Sequence, residues 1–498
     1  MSAPATQLPV AVLGGGVTGL TAAWHLQKAG VPVVVLEAAA APGGVVGSAR
    51  VAGWLHESGP NSLLEGSPEV AELIDAVGLG SRRLYAAEAA RNRYVVRAGR
   101  LVALPTSPAA FLRTPLFSFG AKLRLLGEPW RARAPAEAEE SVADFVVRRL
   151  GREFLDYAVN PFVGGVYAGD PRRLSVRHGF PKLHALEQTH GSLLRGALKR
   201  RNASGGPAGR ILSFPDGLAE LPRALAAALG AAVRPAHRVI YVRRQDGAWK
   251  VVTAGPDGIS AGYYSAVVCA LPADALAGVQ FEDIPGTSRL SELREIEHPP
   301  VVSVLAGYRR EDVAHPLDGF GLLMPEVERR RVLGVLFSST LFPGRAPAGH
   351  VALTAFIGGT RSPELARLDD DALRQLVSEE LGALLGARGA PVHCSVRRWP
   401  RAIPQYTLGY ARFQKIFADI EAAAPGLHFG GNARDGISLA DCLKSGRRLA
   451  LAAAARCQPI KLPEPVMLSA AKHPSACPLA VVPMDEDVAS PGTSLRSE

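Results

Sequence analysis

The first forty residues contain two continuous apolar runs separated by a segment of helical composition. The apolar runs cover residues 8–13 and 31–36, and residues 17–29 lie between them. Parallel strands that are covered on both faces read as continuous rather than alternating apolar segments. The pattern therefore predicts a β–α–β unit at the start of the chain.

The remainder of the chain alternates between strand-like and helix-like segments. Strands are predicted at 239–242, 249–252, 266–271 and within 300–360, and helices are predicted at 218–229, 371–386 and after the strand and glycine turn of 425–457. A chain of 498 residues, 47% of them hydrophobic, is long enough for two or three domains, each with its own core. The order of elements favours an α/β fold.

Residues 81–201 differ from the rest in charge, and their pattern predicts a helical insert. They hold 22 Lys and Arg against 10 Asp and Glu, whereas the rest of the chain holds 34 against 36. The net charge of +10 therefore arises entirely in this segment. Three interpretations stay open, namely a solvated basic face, an anionic membrane surface and an acidic ligand.

Several function classes are excluded by what the chain lacks. Its five cysteines include no CxxC pair, and there is no HExxH motif, so we expect neither a disulfide scaffold nor a metal site. The first residues have no charged region or cleavage site of a signal peptide, and no apolar run approaches the ~18–20 residues that span a bilayer. We expect a cytoplasmic protein, or one that is peripheral on the cytoplasmic face of a membrane, with no nucleic acid partner.

The turn after the first predicted strand carries the clearest chemical motif. Gly14, Gly16 and Gly19 match GxGxxG, and Glu37 ends the next predicted strand 18 positions later. The first glycine allows the tight turn, the second lets the backbone approach a pyrophosphate, and the third lets helix and strand pack closely. The helix N-terminus offers free N–H groups to phosphates, and Glu37 offers acceptors to ribose hydroxyls. The segment therefore predicts a dinucleotide site.

Three further motifs extend this one in the pattern of the amine-oxidase-like flavoproteins. Gly43 and Gly44 follow Glu37 in an E-x5-GG arrangement, and residues 57–62 form a second glycine turn. Near the other end, residues 427–432 and 435–439 lead into the alanine-rich helix. Together they resemble that superfamily, and the resemblance implies non-covalently bound FAD with the last helix facing the flavin.

The resemblance assigns FAD contacts to residues at both ends of the chain and to two in between. These are Gly14, Gly15, Gly16, Val17, Thr18, Gly19, Glu37, Ala38, Gly43, Gly44, Val45, Gly59, Pro60, Asn61, Ser62, Val239, Trp399, Gly431, Ile437, Ser438 and Leu439.

Motifs in the middle of the chain restrict the resemblance to one group within that superfamily. They are Asn92–Tyr94 with 99–105, the block 160–187, the stretches 319–325, 341–345 and 358–359, and Ile403–Tyr406. In order and spacing they are similar to the oxygen-dependent protoporphyrinogen oxidases and coproporphyrinogen III oxidases, over about residues 8–458.

This family resemblance implies how a substrate is held. Arg93 would pair with a propionate of a tetrapyrrole, and Leu323, Leu336 and Phe356 would enclose the macrocycle beside the flavin, with Gly165 close by. No side chain is assigned as a catalytic residue, because flavin N5 carries the chemistry in this family.

The resemblance also implies a division into domains. A discontinuous Rossmann-like FAD-binding domain is expected from 1–80, 205–290 and 395–458, and a mixed-sheet substrate domain from 291–394. The basic, helical segment 81–201 is expected to face a membrane or the substrate entrance. Residues 459–498, with seven prolines and no periodicity, are predicted to be a disordered tail.

The implied activity is the six-electron oxidation of protoporphyrinogen IX by dioxygen, with hydrogen peroxide as the other product, in porphyrin and heme biosynthesis. Coproporphyrinogen III is an alternative substrate, which the basic bias of 81–201 favours. An amine or carotenoid oxidase and a flavin or porphyrin carrier without turnover are further alternatives. Peripheral membrane association and a homodimer stay open.

Overall fold

The first sheet of the fold is parallel and has five strands. The computed structural model describes residues 7–135, 137–203 and 209–456. The strand order across the sheet is Val233–Arg234, Val33–Leu36, Val10–Leu13, Ala266–Cys269 and Leu427–Phe429. The strands predicted at the start of the chain, at 266–271 and after 425 are therefore confirmed. Three distant stretches of the chain build one sheet.

Helices cover both faces of this sheet, which explains its continuous apolar strands. On one face Val17–Lys28, Glu220–Leu229 and Leu439–Ala454 enclose a buried core with Val10 and Val12. Helix Ala411–Ala423 packs on the other face. The prediction of parallel strands covered on both sides is confirmed.

A second sheet has seven strands, which pair in both parallel and antiparallel orientation. Its order is His393–Trp399, Val301–Arg309, His350–Gly358, Gly334–Leu336, Gly319–Leu323, Asn92–Arg97 and Arg100–Ala103. Helix Asp370–Leu385 buries one face against Val302, Val304, Ala355 and other apolar side chains. The opposite face is the one that carries the polar and apolar residues discussed below.

The prediction that 81–201 is helical throughout is wrong for its first part. Asn92–Arg97 and Arg100–Ala103 form a hairpin, and Asn92–Arg97 pairs in parallel with Gly319–Leu323. From residue 108 onward the region is helical as predicted, with Pro108–Arg113, Phe119–Leu126, Val142–Arg149, Arg152–Phe154, Leu155–Val159, Asn160–Tyr167, Val176–Gly179, Pro181–His190 and Leu193–Ala203.

Buried charges hold this helical region together. Glu128 and Arg149 are both fully buried and paired, and Glu128 also accepts hydrogen bonds from the Ser192 hydroxyl (2.5 Å) and the Leu193 N–H (2.9 Å). Glu128 thus satisfies backbone groups at the start of helix Leu193–Ala203, which a helix leaves without internal partners. Some of the charged side chains of 81–201 are therefore buried and do not contribute to a surface charge.

Smaller sheets complete the fold. One has the order Gly258–Tyr264, Ala248–Gly255, Arg238–Gln245 and Gln280–Glu282, another pairs Ser48–Val51 with Trp54–Glu57, and a third has the order Leu63–Glu65, Arg210–Ser213 and Leu84–Tyr85. The remaining helices are Pro68–Ala76, Ala273–Leu276 and Ser338–Leu341, with 3-10 turns at Gly80–Arg82, Glu88–Arg91, Glu128–Trp130, Gly230–Ala232, Thr287–Glu295, Arg310–Asp312, Glu326–Glu328 and Pro363–Arg367.

Two predictions made from the sequence stay predictions at this level. The tail 459–498 lies outside the described residues, and the domain boundaries given above are not decided by the arrangement of the sheets. Among the described helices, none combines the length and apolarity needed to cross a bilayer.

Candidate functional site

The turn 14–19 has the geometry of a phosphate-binding loop. Gly14 has a φ of +100°, which favours glycine, and helix Val17–Lys28 begins immediately after Gly16 without a side-chain cap. A Cβ added at Gly16 would meet nothing within 4 Å, whereas one at Gly19 would lie 2.0 Å from the Gly14 carbonyl oxygen. Gly16 thus borders open space for a ligand, and Gly19 is required by packing. Val17 and Thr18 form the uncapped first turn.

Glu37 closes this loop from the end of the neighbouring strand. One of its carboxylate oxygens accepts the Gly15 N–H and the other accepts the Ala39 N–H, both at 2.7 Å. The exposed Ala38 lies between these contacts. Val239 lies two residues after His237, whose N–H donates to the Glu37 carbonyl at 2.7 Å. The carboxylate is held beside the loop with further lone pairs free for ribose hydroxyls.

The second glycine pair lies directly against the loop. The Gly43 N–H donates to the Gly15 carbonyl at 2.8 Å, and a Cβ on Gly44 would be 3.2 Å from the Gly16 Cα. A Cβ on Gly59 would lie 2.2 Å from the Val45 carbonyl oxygen, so the turn around Gly59 packs closely on this segment.

The turn 58–62 links the loop to the seven-stranded sheet. The Trp399 indole N–H donates to the Ser58 carbonyl at 2.6 Å, and the Asn61 side chain donates to the Gly59 carbonyl at 3.1 Å. Pro60 and Ser62, on either side of Asn61, are partly exposed. Trp399 therefore reaches the predicted cofactor turn from the last strand of the other sheet.

The C-terminal motif meets the N-terminal one at helix Val17–Lys28. A Cβ on Gly431 would be 3.9 Å from the Thr18 hydroxyl, and one on Gly446 would be 2.6 Å from the Thr18 carbonyl oxygen. Ser438 caps helix Leu439–Ala454 by accepting the Asp441 N–H at 3.1 Å. Two motifs more than 400 residues apart are thus brought together, with Ile437 and Leu439 beside the cap.

Tyr406 is a site residue to which the sequence analysis gave no role. Its hydroxyl donates to the Asn432 carbonyl at 2.5 Å and accepts the Gly436 N–H at 3.0 Å, and its side chain is buried. Burial raises the pKa of this phenol well above its ordinary value, so it remains a donor. Tyr406 fixes the turn before the last helix. The only sequence signal that pointed to Tyr406 was its place in the motif Ile403–Tyr406.

The predicted substrate residues share one face of the seven-stranded sheet. Leu323 and Phe356 both pair with Gly334, and Leu336 lies two positions further on the same strand. Cross-strand partners and residues two apart on one strand point to the same face. A Cβ on Gly165 would be 2.3 Å from the Leu323 side chain, so this glycine packs on the same surface.

Arg93 lies at one end of this apolar surface. It pairs with Gly321, which in turn pairs with Leu336, and its guanidinium is 5.4 Å from the Phe320 ring. The side chain is exposed. A cation at the edge of an apolar face suits an apolar ligand that carries a carboxylate.

A small cavity, of about 10 Å³, lies between one predicted cofactor residue and one predicted substrate residue. Asn61 and Leu336 both line it, together with Leu55, Glu57, Ser338, Leu341, Phe342, Arg345 and Thr354. Burial raises the pKa of Glu57, although the Ser48 hydroxyl, the Leu218 N–H and the Arg345 charge oppose this effect. The second predicted cofactor turn therefore borders the predicted substrate face at this cavity. In the described part of the chain, no group of three or more His, Cys, Asp or Glu side chains is placed to hold a metal ion.

The residues present fit a flavin dinucleotide. Gly16 leaves space for a pyrophosphate, the first turn of helix Val17–Lys28 has free N–H groups, and Glu37 faces the ribose position. Helix Leu439–Ala454 packs on the start of helix Val17–Lys28 through Gly446. Its N-terminus favours negative charge that develops on a nearby ring.

The chain is similar in sequence to known proteins over most of its length. The family model for flavin containing amine oxidoreductase matches residues 17–454. Protoporphyrinogen oxidase 2, chloroplastic/mitochondrial, of Arabidopsis thaliana is 33% identical over 471 residues, covering 89% of this chain and 92% of that protein. The protoporphyrinogen oxidase of Homo sapiens is 33% identical over 479 residues, covering 89% and 97%.

Solved structures are similar in fold. A crystal structure from Exiguobacterium sp. 255-15 has a TM-score of 0.75 at 24% identity, covering 90% of this chain and 99% of that one. A putrescine oxidase bound to putrescine has a TM-score of 0.66 at 18% identity, covering 91% and 100%. At these identities the likeness concerns the fold alone.

Proposed function

The chain belongs to the flavin containing amine oxidoreductase family, and on this basis we propose that it oxidises protoporphyrinogen IX to protoporphyrin IX with FAD and dioxygen. The observation that carries the proposal is the extent of the likeness to the protoporphyrinogen oxidases of Arabidopsis thaliana and Homo sapiens, which reaches 92% and 97% of their lengths. The apolar sheet face that ends at Arg93 is consistent with this substrate.

FAD, when bound, supplies the hydride acceptor in this chemistry. The chain's own residues position the substrate. Leu323, Leu336 and Phe356 offer a flat apolar surface to the macrocycle, and Arg93 orients it through one carboxylate.

The purified protein tests the proposal directly. We expect a flavin spectrum, and porphyrin fluorescence that grows faster than autoxidation when protoporphyrinogen IX is added in air. Faster growth from coproporphyrinogen III would assign the chain to that alternative substrate. A flavin spectrum without acceleration by either compound would overturn the porphyrinogen proposal and leave amines and carotenoids to be tried.

Replacing Arg93 by Gln is expected to raise KM for the porphyrinogen about tenfold or more, with kcat changed little. A charge-assisted hydrogen bond contributes about 1.5–3 kcal/mol, and one made equally in the bound substrate and the transition state acts on KM. Steady-state kinetics by porphyrin fluorescence measure it. Arg100→Gln, on the adjacent strand of the hairpin, is the matched control and should leave KM unchanged. An equal fall of kcat in both variants would contradict a binding role for Arg93.

We further propose that the helical region docks on an anionic membrane surface. Five large apolar side chains within residues 112–130 are exposed, namely Leu112, Phe119, Leu123, Leu126 and Trp130. Exposed patches of this kind mark interaction sites, and basic neighbours such as Arg113 and Arg124 add attraction to anionic lipids. The docking would be peripheral.

The double variant Phe119→Ser with Trp130→Ser is expected to lower the fraction bound to anionic liposomes tenfold or more. Each buried aromatic side chain contributes about 1.5–3 kcal/mol. Flotation at low salt measures the bound fraction. Ile259→Ser is the matched control, because Ile259 and Phe119 are equally exposed, at 76%. Equal flotation of the double variant and the wild type, or no flotation of the wild type at all, would overturn the docking proposal.

A further inference from the structure

We propose that Ser303 and His56 carry the proton that leaves the substrate in each oxidation step, with Ser395 as the outlet towards solvent. The inference rests on the proposed porphyrinogen oxidation and adds a proton path to it. In this path Ser303 is the group that faces the substrate, and His56 is a positioning residue that acts through Ser303.

Ser303 lies on the substrate-facing side of the seven-stranded sheet. It pairs directly with Phe356, and Phe356 pairs with Gly334, the partner of Leu323. Directly opposite residues in a sheet have Cβ atoms about 4.5–5.5 Å apart. The Ser303 hydroxyl is therefore a polar group next to the apolar surface that would hold the macrocycle; Thr354, the other hydroxyl residue paired within this face, is engaged with Ser338 at 2.8 Å.

His56 bridges Ser303 to the edge of the sheet. Its Nε2 is 3.4 Å from the Ser303 Oγ, and its Nδ1 is 2.9 Å from the Ser395 Oγ. Ser395 lies on the outermost strand, His393–Trp399, and is partly exposed. The longer of the two contacts is the one at the substrate side, where catalytic hydrogen bonds often shorten only when the substrate is bound.

The surroundings keep the imidazole neutral. Burial, together with the smaller effects of the nearby charges of His393 and Arg397, lowers the pKa of His56 to about 4. The other groups that face the ring are the two serine hydroxyls. A neutral imidazole has one N–H donor and one acceptor nitrogen, which a relay requires, whereas an imidazolium has two donors and cannot accept.

A buried histidine between two serines is also compatible with plain packing. Two features favour the relay instead. Both ring nitrogens are engaged by hydroxyls, which can each accept and donate, and one hydroxyl lies beside Phe356 while the other lies at the sheet edge. His393 differs in this respect, because it stacks on Trp54 at 5.2 Å and has no described hydrogen bond to either serine.

The atoms and electrons balance in each two-electron step. A hydrogen on a meso carbon would leave with both electrons as a hydride, for which FAD, when bound, would be the acceptor, and a pyrrole N–H hydrogen leaves as a proton. Ser303 accepts that proton and passes its own to His56 Nε2, while the hydrogen on Nδ1 passes to Ser395 and on to water. When dioxygen takes up the two electrons and the hydrogen, one proton returning along the path completes hydrogen peroxide and restores the original tautomer.

The test is the rate at which the flavin absorbance of the holoenzyme bleaches on anaerobic mixing with the porphyrinogen. Ser303→Ala and His56→Gln are expected to lower this rate about tenfold to a hundredfold, near the lower end of acid–base effects. Glutamine keeps hydrogen bonds but cannot relay a proton. His350→Gln is the matched control and should bleach at the wild-type rate, because His350 contacts the edge of Trp54 at 5.6 Å and takes no part in the path. Imidazole added to His56→Ala should restore part of the lost rate.

A second readout does not depend on turnover. In ¹⁵N spectra of the oxidised holoenzyme we expect His56 to be neutral from pH 6 to pH 8, and Ser303→Ala to shift the Nε2 resonance more than the Nδ1 resonance. Bleaching of Ser303→Ala at the wild-type rate, or a His56 that is charged at pH 7, would overturn the relay. Failure of the wild type to bleach with either porphyrinogen would instead overturn the proposed function.

Discussion

Gly16→Ala is expected to weaken FAD binding by up to about a hundredfold while the apoprotein stays as stable as the wild type. The protein itself places nothing within 4 Å of a Cβ at this position, so the methyl group meets only the ligand. Overpacking costs about 1–3 kcal/mol, which for a bound cofactor appears as lost affinity. Titration of the apoprotein with FAD measures the affinity, and thermal unfolding of the apoprotein measures its stability.

Gly19→Ala is the matched variant, and we expect it to fail differently. Its Cβ would lie 2.0 Å from the Gly14 carbonyl oxygen, a backbone atom that can move only with the whole loop. The free energy of unfolding of the apoprotein should therefore fall by about 3 kcal/mol or more, and the apoprotein should unfold at a lower temperature than the wild type. The variant should retain no FAD on purification. The same loss of apoprotein stability in both variants would contradict separate roles for the two glycines.

Glu128→Ala is expected to destabilise the helical region by about 3–5 kcal/mol. Removing one partner of a buried ion pair leaves the other charge poorly compensated, and the fully buried Arg149 would keep only Glu187, at 3.3 Å, which it shares with Arg148. The N–H groups of Leu193 and Leu194 would also lose their acceptor. Amide hydrogen exchange measures the effect, because opening of helix Leu193–Ala203 should become about 10²- to 10⁴-fold more frequent.

The control for this substitution is Glu140→Ala. Glu140 is partly exposed, and its partner Arg148 keeps Glu187 as a second partner. We expect a loss of about 1 kcal/mol or less, as for other accessible pairs. Similar exchange rates in Glu128→Ala and Glu140→Ala would show that the buried pair does not hold the region together.

The same pair makes the helical region acid-sensitive. Burial raises the pKa of Glu128, but the hydrogen bonds from Ser192, the Leu193 N–H and Arg149 outweigh this and hold the pKa below its ordinary value. A carboxyl whose pKa is lower in the folded state stabilises that state above its unfolded pKa. This stabilisation is lost as the pH falls below that value and through the folded pKa.

The cofactor side of the molecule could be predicted because its signals are local. Gly14, Gly16 and Gly19 lie within six residues, and each has a role that the turn itself dictates. The continuous apolar runs likewise require only that both faces of a strand are covered. Such signals do not depend on which distant segment provides the cover.

The hairpin at 92–103 and the buried charges could not be predicted in this way. Alternation in Asn92–Arg97 is obscured by arginines, and its partner Gly319–Leu323 is more than 200 residues away. Arg149 and Glu128 read as surface residues in a basic segment, since charged residues are almost never fully buried unless paired. The pairing itself appears only in three dimensions.

His56 was missed for a related reason. Its neighbours Ser303 and Ser395 lie on two strands that are far from it and from each other in the sequence. Neither serine belongs to a motif. By contrast, Leu323, Leu336 and Phe356 were found through family resemblance, and the sheet places them on one face.

The parallel five-stranded sheet has a consequence for the synthesis of the protein. Its strands come from residues 10–36, 233–269 and 427–429. The sheet therefore cannot be completed until the last of these strands has been synthesised. Contacts between such distant segments slow folding, and the exposed intermediate is prone to aggregation. Because the helix Leu439–Ala454 packs against the phosphate loop only at this stage, a nascent chain interrupted before residue 427 cannot assemble the complete FAD site. Cofactor loading is therefore a late event in biogenesis, and the supply of FAD at that moment should influence how much of the chain escapes proteolysis.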